Sequence, residues 1–432
     1  MDAPPGTAAT PRISQGDISM IRHRIGAVVL ALSLVAAGCG DDSDEVAAEP
    51  SDDTAGDAQE EAYEGEVGVT DDTITLGMLT PKTGPYAVAG GETGAVNELF
   101  RTAAEEVNAD GGIHGRMIEI KEYDDGSGNP ATTQASVRAA KDEVFGLVSI
   151  IGNTSTVAAP LVEDYEMPLI VGNIDGRVAR SLRYTFGSIP FWDTSARIMP
   201  SYIANELDAA GEKIGVIYMN TPNGDGARAA FEEAAGEEGL EIAVTQPVEA
   251  FPSTCNNEVS KLAAADVTVV FMITASFPAI CMLRAAEAAG FEPTWTTPAY
   301  GWNLDLVSKG TDGLTDGVIA FGYGATFDTD AGQEYVDSVE RFGTGETAYD
   351  SNELLLHGMW KLFFAGLEAA GENLTRDGFV EAMETKVSGV DTGFLSPPTY
   401  EEGNHQGPLV VNLWRGEDKT WVMEDPTWHE SF

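Results

Sequence analysis

The sequence predicts an α/β protein with parallel sheets arranged as two similar lobes. Three observations lead there. First, Leu147–Asn173 runs from an apolar, β-branched segment (Leu147–Ile151) through a small polar turn into a helical repeat, then past Pro168 into a second apolar run, Leu169–Val171. Two short buried strands joined by a helix make a parallel pair. Second, strand and helix patterns alternate along most of the chain after Gly68, which is how a parallel sheet keeps both faces covered. Third, the alternation comes in two series, separated by a less regular stretch over Tyr184–Trp192. No short-period repeat of the solenoid type is present.

In chain order, residues 1–19 lack strong periodicity, and Met20 reads as the true initiator. Arg22, His23 and Arg24 give a basic start, and Ile25–Ala37 an apolar run of 13 residues. That run is too short for a comfortable membrane span of roughly 20 residues and has the proportions of a secretory signal. Ala36, Ala37 and Gly38 then precede Cys39, a spacing that resembles a bacterial lipobox, with cleavage before the cysteine and a lipid on its thiol. Arg22 and Arg24 are not adjacent, so a twin-arginine signal is not expected. Residues 40–66 hold twelve Asp/Glu and no Lys or Arg. Such a run buries too little apolar surface to fold and reads as a disordered tether.

The first series has strands at Ile74–Leu79, Met117–Tyr123, Leu147–Ile151 and Leu169–Val171. Helices fall at Glu92–Asn108 and Ala131–Val144, and after the Gly152–Ser155 turn. The second has strands at Ile214–Tyr218, Leu240–Val244, Val267–Thr274, Trp295–Thr297 and Val318–Gly322. Its helices are Ser195–Ala210, Asp225–Gly236, Asn256–Ala265 and Ala279–Ala289. Three more helices (Ala331–Phe342, Ser351–Ala370, Arg376–Lys386) and two strands (Leu409–Trp414, Trp421–Met423) complete the chain.

Composition narrows the function. The 432 residues are 43% hydrophobic, enough for two domains with real cores. The net charge of −46, from 24 Lys+Arg against 70 Asp+Glu, excludes a nucleic-acid binder, which needs a basic face. It also disfavours adhesion to anionic lipid by charge alone. A solubilising acidic surface, suited to a saline habitat, accounts for it. The five histidines make no zinc spacing, and no P-loop, dinucleotide fingerprint or nucleophile elbow appears. The acidic turns Asp124–Asn129 and Asp328–Asp330 lack the calcium-loop pattern. No enzyme, metal or cofactor is expected.

Candidate ligand contacts come from the strand ends. In a parallel α/β sheet, ligands bind at the carboxyl edge, where helix N-termini present unpaired N–H groups. Asn153, Thr154 and Ser155 occupy that edge after the third strand; they serve equally as an ordinary helix cap. Tyr86 lies in the loop after strand one. Asn220 and Asn223 follow the Ile214–Tyr218 strand, and Thr274, Ser276 and Phe277 follow the Val267–Thr274 strand. With Cys39 lipidated, Cys255 and Cys281 are an even remainder in an oxidising compartment. A disulfide between them would staple adjacent helices and stabilise the fold by roughly 2–4 kcal/mol.

Several segments then resemble one family in order and spacing. Gly68–Ala87 (GVTDDTITLGMLTPKTGPYA) is similar to the start of mature periplasmic-type binding proteins of the branched-chain amino acid class. Glu105–Ile120 (EEVNADGGIHGRMIEI) resembles their double-glycine turn, and Tyr123–Thr133 (YDDGSGNPATT) their acidic turn. Ile150–Pro160 and Met167–Val171 resemble the next unit of that family. The resemblance runs from Gly68 to the end, more weakly after Tyr323. It implies two Rossmann-like lobes joined by a three-segment hinge, the type I periplasmic binding protein arrangement. The crossovers it implies fall near Pro190–Asp193, Tyr323–Thr326 and Pro398–Gly407. The first lobe would hold 68–191 plus 325–404, and the second 192–324 plus 405–432. Residues 1–38 would be extension and signal, and 39–67 the lipidated cysteine and tether.

The same resemblance implies a solute gripped by hinge closure. Asn153–Ser155 would hold a carboxylate, and Asn173 and Asp175 would flank it. In the second lobe, Thr297–Asp305 carries Tyr300 and Trp302 where amino-acid binders place an acid for the ammonium. Asp305 more naturally caps or joins the next helix. Asp175 is the candidate to supply the missing charge from the first lobe. Otherwise the solute is an amide, a urea-like compound, a carboxylate or an aromatic acid. The implied partners are an ABC importer's membrane permease with its cytoplasmic ATPase, and the lipid that anchors a monomer outside the cytoplasm. A sensory protein that signals to a membrane receptor is the alternative.

Overall fold

The structure, a computed structural model, describes residues 65–88, 93–207, 209, 211–343 and 351–432. The apolar run Ile25–Ala37, Cys39, all but the end of the acidic stretch, and residues 89–92 lie outside the described residues. The described chain belongs to one unit that begins at Ala62.

The first lobe is built on β1 (Thr73–Thr80), α1 (Pro85–Val88), α2 (Thr93–Ala109), β2 (Met117–Asp124), α3 (Pro130–Ala140), β3 (Leu147–Ser149), α4 (Gly152–Asp164), β4 (Leu169–Val171), α5 (Gly176–Ala179) and β5 (Thr185–Gly187). Its five strands lie in the order β2-β1-β3-β4-β5, and every pairing is parallel. All of β3 and β4 is buried, as their unbroken apolar runs require when helices cover both faces. Asn129 starts α3 by accepting hydrogen bonds from the Ala131 and Thr132 N–H groups, with Pro130 in the first turn.

The second lobe contains α6 (Trp192–Asn205), β6 (Lys213–Met219), α7 (Pro222–Glu237), β7 (Glu241–Val248), α8 (Asn256–Ala264), β8 (Val269–Ile273), α9 (Ser276–Ala289), β9 (Thr294–Pro298), α10 (Leu304–Thr311) and β10 (Ile319–Gly322). Strands β6 to β10 pair in parallel. The chain then supplies α11 (Asp330–Phe342), α12 (Ser351–Ala370) and α13 (Arg376–Ala382), the last continuing into a π-helical turn at Met383–Val387. Helices α11 and α12 pack against α2 of the first lobe. Finally β11 (Val411–Glu417) and β12 (Thr420–His429) return as an antiparallel pair on the edge of β10. The second sheet thus reads β12-β11-β10-β9-β8-β6-β7.

Arg376 fastens the late helices to the early ones. Its guanidinium is nearly buried and donates to the carbonyls of Lys141 and Tyr165, at the ends of α3 and α4, and of Val144 and Phe145 in the loop before β3. Its own N–H donates to the Glu66 carboxylate. Helix C-termini leave such carbonyls unpaired, and a cation satisfies both their hydrogen bonding and their partial charge.

The element pattern read from sequence holds, with displaced starts. Strand β5 lies in the stretch that reads as irregular, because three residues are too few for a period. Helix α9 starts at Ser276 rather than Ala279, and α7 at Pro222 rather than Asp225. Proline is tolerated in a first turn, where its missing N–H has no partner to lose, so Pro278 and Pro222 lie inside these helices. Strand β12 extends far beyond Trp421–Met423. No helix among the described residues is long and apolar enough to cross a membrane.

Candidate functional site

A cavity of about 120 Å³ lies where the carboxyl ends of the two sheets face each other. From the first lobe come Ile150–Asn153, the turn from β3 into α4, with Tyr86 on α1, Asn173 after β4 and Asn352 on α12. From the second come Met219 at the end of β6, Thr221 and Asn223 after it, Ala275–Phe277 at the start of α9, Tyr300 and Gly301 after β9, and Trp192 opening α6. Both sheets are parallel here, so both direct helix N-termini into the same gap.

Three of those N-termini, of α4, α6 and α9, lack side-chain caps. Ile151 precedes α4 and Ala275 precedes α9, and neither side chain can accept a hydrogen bond. The first-turn N–H groups of an α-helix have no partner within the helix. The cavity is therefore flanked, from both lobes, by uncapped donors at the positive ends of helix dipoles. Helix α7 differs, because Thr221 Oγ1 caps it by accepting from the Gly224 N–H.

The lobes touch directly across the gap. The Tyr300 hydroxyl donates to the Ile150 carbonyl, while the Tyr300 carbonyl accepts from Trp192 Nε1 at 2.8 Å. Thr156 Oγ1 lies 3.3 Å from Asn223 Oδ1. Gly152 allows this approach, since a Cβ there would stand 2.6 Å from Asn223 Nδ2. Gly301, at φ +106°, is needed for its backbone and for space: a Cβ would meet the Thr274 carbonyl at 2.8 Å and the Trp192 ring at 2.9 Å.

Of the sequence candidates, Tyr86, Asn153, Asn173, Asn223, Ser276, Phe277 and Tyr300 line the cavity. Asn173 is 1% exposed and its Oδ1 has no hydrogen-bond partner in the protein. An unmatched buried acceptor at a cavity wall is an invitation to a ligand donor.

Thr154, Ser155, Thr274, Trp302 and Asp175 do not line it, and each has a physical reason. Thr154 is fully buried, and its hydroxyl donates to Asp125 Oδ2 at 2.9 Å. Burial pushes the Asp125 carboxyl up in pKa, against the pull of that bond. Ser155 Oγ is spent on Ser149 Oγ and the Ile151 carbonyl, both at 3.0 Å. These two hydroxyls brace α4 from behind. Trp302 Nε1 donates to Thr274 Oγ1 at 3.2 Å, and both side chains are buried beneath the cavity floor. Asp175 caps α5 and grips Arg177 with both oxygens. It belongs to a neighbouring pocket shared with Asp193, Arg197 and Glu233, beyond Trp192 and Asn223. Asp305 lies in α10, and Asn220 donates to Glu249 at the surface.

Sequence reasoning missed Gly152, Thr221, Trp192 and Asn352. The first two adjoin residues it named. Asn352 gave no local signal, because it reaches the site from a helix whose sequence neighbours are far away. The described lining contains no carboxylate, ammonium or guanidinium. No group of three metal-ligating side chains occurs among the described residues. The structure joins Cys255 to Cys281 at 2.04 Å, between the start of α8 and the first half of α9, outside the cavity.

Comparison with known proteins agrees with this arrangement. The chain is 24% identical over 240 residues to Leu/Ile/Val-binding protein homolog 7 of Brucella suis biovar 1 (strain 1330), covering 53% of this chain and 59% of that protein. It is 25% identical over 232 residues to Leu/Ile/Val-binding protein homolog 8 of Brucella abortus (strain 2308), covering 51% and 56%. The match therefore spans less than two thirds of these curated relatives. Among solved structures, the fold is shared with a fatty acid ABC transporter substrate-binding protein from Thermomonospora curvata. That pair has a TM-score of 0.75 and 21% identity, covering 85% of this chain and 95% of that one. It is shared too with a branched-chain amino acid ABC transporter protein from Thermus thermophilus with bound valine (TM-score 0.72, 17% identity, 84% and 98% covered). A solute-binding protein from R. palustris in complex with benzoate gives a TM-score of 0.67 at 16% identity, covering 82% and 96%. The family profile described as periplasmic binding protein matches residues 73–418. Two lobes with parallel sheets, a cleft walled by strand ends and a profile match over most of the chain agree, and the chain belongs to the periplasmic binding protein family, whose members bind solutes and are not enzymes.

Proposed function

We propose that this protein is the extracytoplasmic, lipid-anchored solute receptor of an ABC importer, and that its solute is a carboxylate without an ammonium group. The observation that carries the solute class is the cavity's charge pattern. Uncapped helix N-termini from both lobes favour an anionic group, while the described lining offers no carboxylate to pair an ammonium. A buried ammonium without a counter-charge is costly. Tyr86, Trp192, Met219 and Phe277 supply apolar surface for the remainder of the solute, and the Asn173 Oδ1 acceptor suits one hydroxyl or amide N–H. Benzoate and fatty acids, named for two structural neighbours, are carboxylates of this kind; valine, bound by a third, is not.

Capture proceeds by closure of residues 68–191 plus 325–404 against 192–324 plus 405–432. The hinge lies near Pro190–Asp193, Tyr323–Thr326 and Pro398–Gly407. The solute favours the closed form because groups from both lobes contact it only there. The closed form then docks on the permease, whose ATPase lies across the membrane. Cys39 carries the lipid, and the Cys255–Cys281 disulfide forms on export.

A thermal-shift panel of leucine, valine, benzoate, octanoate and neutral amides tests the solute class. A cognate carboxylate at 100 times its Kd should add about 2.7 kcal/mol of stability. A larger shift with leucine or valine than with any carboxylate lacking an amine would overturn it.

A further inference from the structure

We infer that Phe251 latches the cleft shut, and that the Cys255–Cys281 bridge is the device that positions it. The inference rests on the closing-cleft reading above, but not on the identity of the solute.

Phe251 lies in the connection between β7 and α8 and is 44% exposed, one of few large apolar side chains left in that state among the described residues. Its ring centroid stands 5.3 Å from that of Tyr86, which belongs to the opposite lobe. It also stands 5.1 Å from Phe277 in its own lobe. Phe251 does not line the cavity, yet both its partners do. The three rings form a row across the cleft mouth, with the middle ring contributed by an irregular segment.

Each end of the row is anchored. On the Tyr86 side, the Tyr86 N–H donates to Ser127 Oγ at 3.1 Å, and the Lys82 and Thr83 N–H groups donate to Asp124 Oδ1. On the other side two rungs tie the Phe251 segment to α9. One is the Phe251–Phe277 ring contact and the other is the Cys255–Cys281 bond. Phe251 and Cys255 are four residues apart, as are Phe277 and Cys281, and on α9 that spacing puts both rungs on one face. Without the covalent rung, a segment with no ladder of its own would depend on a single ring contact. Its freedom would then oppose the Tyr86 contact, because an ordered segment must repay its conformational entropy.

Hydrogen–deuterium exchange on the full chain in detergent, without added solute, is the test. Phe251→Ala is expected to speed exchange at the Tyr86 and Ala87 amides of the opposite lobe by about 2- to 10-fold, the range one aromatic pair supports. Phe251→Tyr should restore protection. The Cys255→Ser/Cys281→Ser pair should reproduce the Phe251→Ala effect, while amides of β6 and β8 stay protected. If that pair does not fold, the wild-type chain treated with excess dithiothreitol provides the same comparison. Unchanged protection at Tyr86–Ala87 in Phe251→Ala overturns the latch. Acceleration confined to α8 and α9 on loss of the bridge overturns the positioning role. A second readout is the dissociation rate of benzoate and octanoate as probes, expected to rise by a similar factor in Phe251→Ala. Failure of both probes to bind counts against the proposed solute class and leaves the exchange result to stand or fall alone.

Discussion

A single guanidinium at Arg376 satisfies four carbonyls, two at the ends of α3 and α4 and two in the loop before β3. Arg376→Leu would leave those acceptors dry and unpaired, so a loss of about 2–4 kcal/mol is expected in urea unfolding; a loss under 1 kcal/mol would mean that water replaces the arginine. Tyr300→Phe removes only the hydroxyl that crosses to Ile150. It should weaken solute capture about 2- to 10-fold, the worth of one net hydrogen bond, with little change in the midpoint of the solute-free protein. His357 sets a pH dependence. It is buried between Tyr335 and Phe394, with Lys361 and Glu106 nearby, and neither ring nitrogen has a hydrogen-bond partner. Burial, helped by Lys361, lowers its pKa to about 3. Between pH 6.5 and that value the unfolded chain binds a proton that the native chain does not, so stability falls as pH falls. By pH 4.5 the loss should reach about 1–3 kcal/mol, and His357→Leu should flatten that slope in pH-resolved unfolding. An equal slope in both proteins would assign the acid lability to other groups.

At the scale of elements, the chemistry of the cleft belongs to backbone more than to side chains. The starts of α4 and α9 contribute donors, and the hydroxyl-bearing Thr154 and Ser155 hold α4 in place from behind. Asn173→Asp would put a negative charge on the cavity wall beside the start of α4. It should weaken benzoate or octanoate binding about tenfold or more, read as a smaller ligand-induced shift in midpoint; undiminished binding would mean that the anion sits elsewhere. This division of labour also marks how much of the site is legible in sequence. Strand–turn–helix order names the edge of both sheets at which the cavity lies, and hence its lining residues Asn153, Asn223 and Phe277. Sequence has no sign for which way a side chain at a turn points, so Thr154, Ser155 and Thr274 look like contacts although they are braces. Asp175 looks like a spare charge because its partner, Arg177, lies only two residues away and carries no mark of pairing. The starts of α7 and α9 read late because their prolines look like boundaries.

For the whole molecule, two lobes are readable because the alternation restarts after Trp192. The return of α11–α13 to the first lobe is not readable from pattern alone, since nothing local distinguishes a helix that crosses back from one that stays. The net charge of −46 acts at this scale as well. Dispersed like charges raise the free energy of a compact chain, and salt screens them beyond a Debye length of about 10 Å at 0.1 M. Raising sodium chloride from about 0.05 to 1 M, over which that length falls several-fold, should raise the midpoint of thermal unfolding. A midpoint that stays level or drops would mean that the repulsion is already balanced by local pairs.

The packing of α11 and α12 on α2, and the reach of Arg376 to the ends of α3 and α4, carry a consequence for biogenesis. During synthesis the first five strands emerge long before α11 and α12, which complete their cover. The half that is made first is finished last, and the surface of α2 and β4 that the late helices cover must wait while the other half is produced. Contacts so distant along the chain are slow to form and leave intermediates prone to clumping. A nascent chain of this kind gains from being kept unfolded until the whole of it has been delivered.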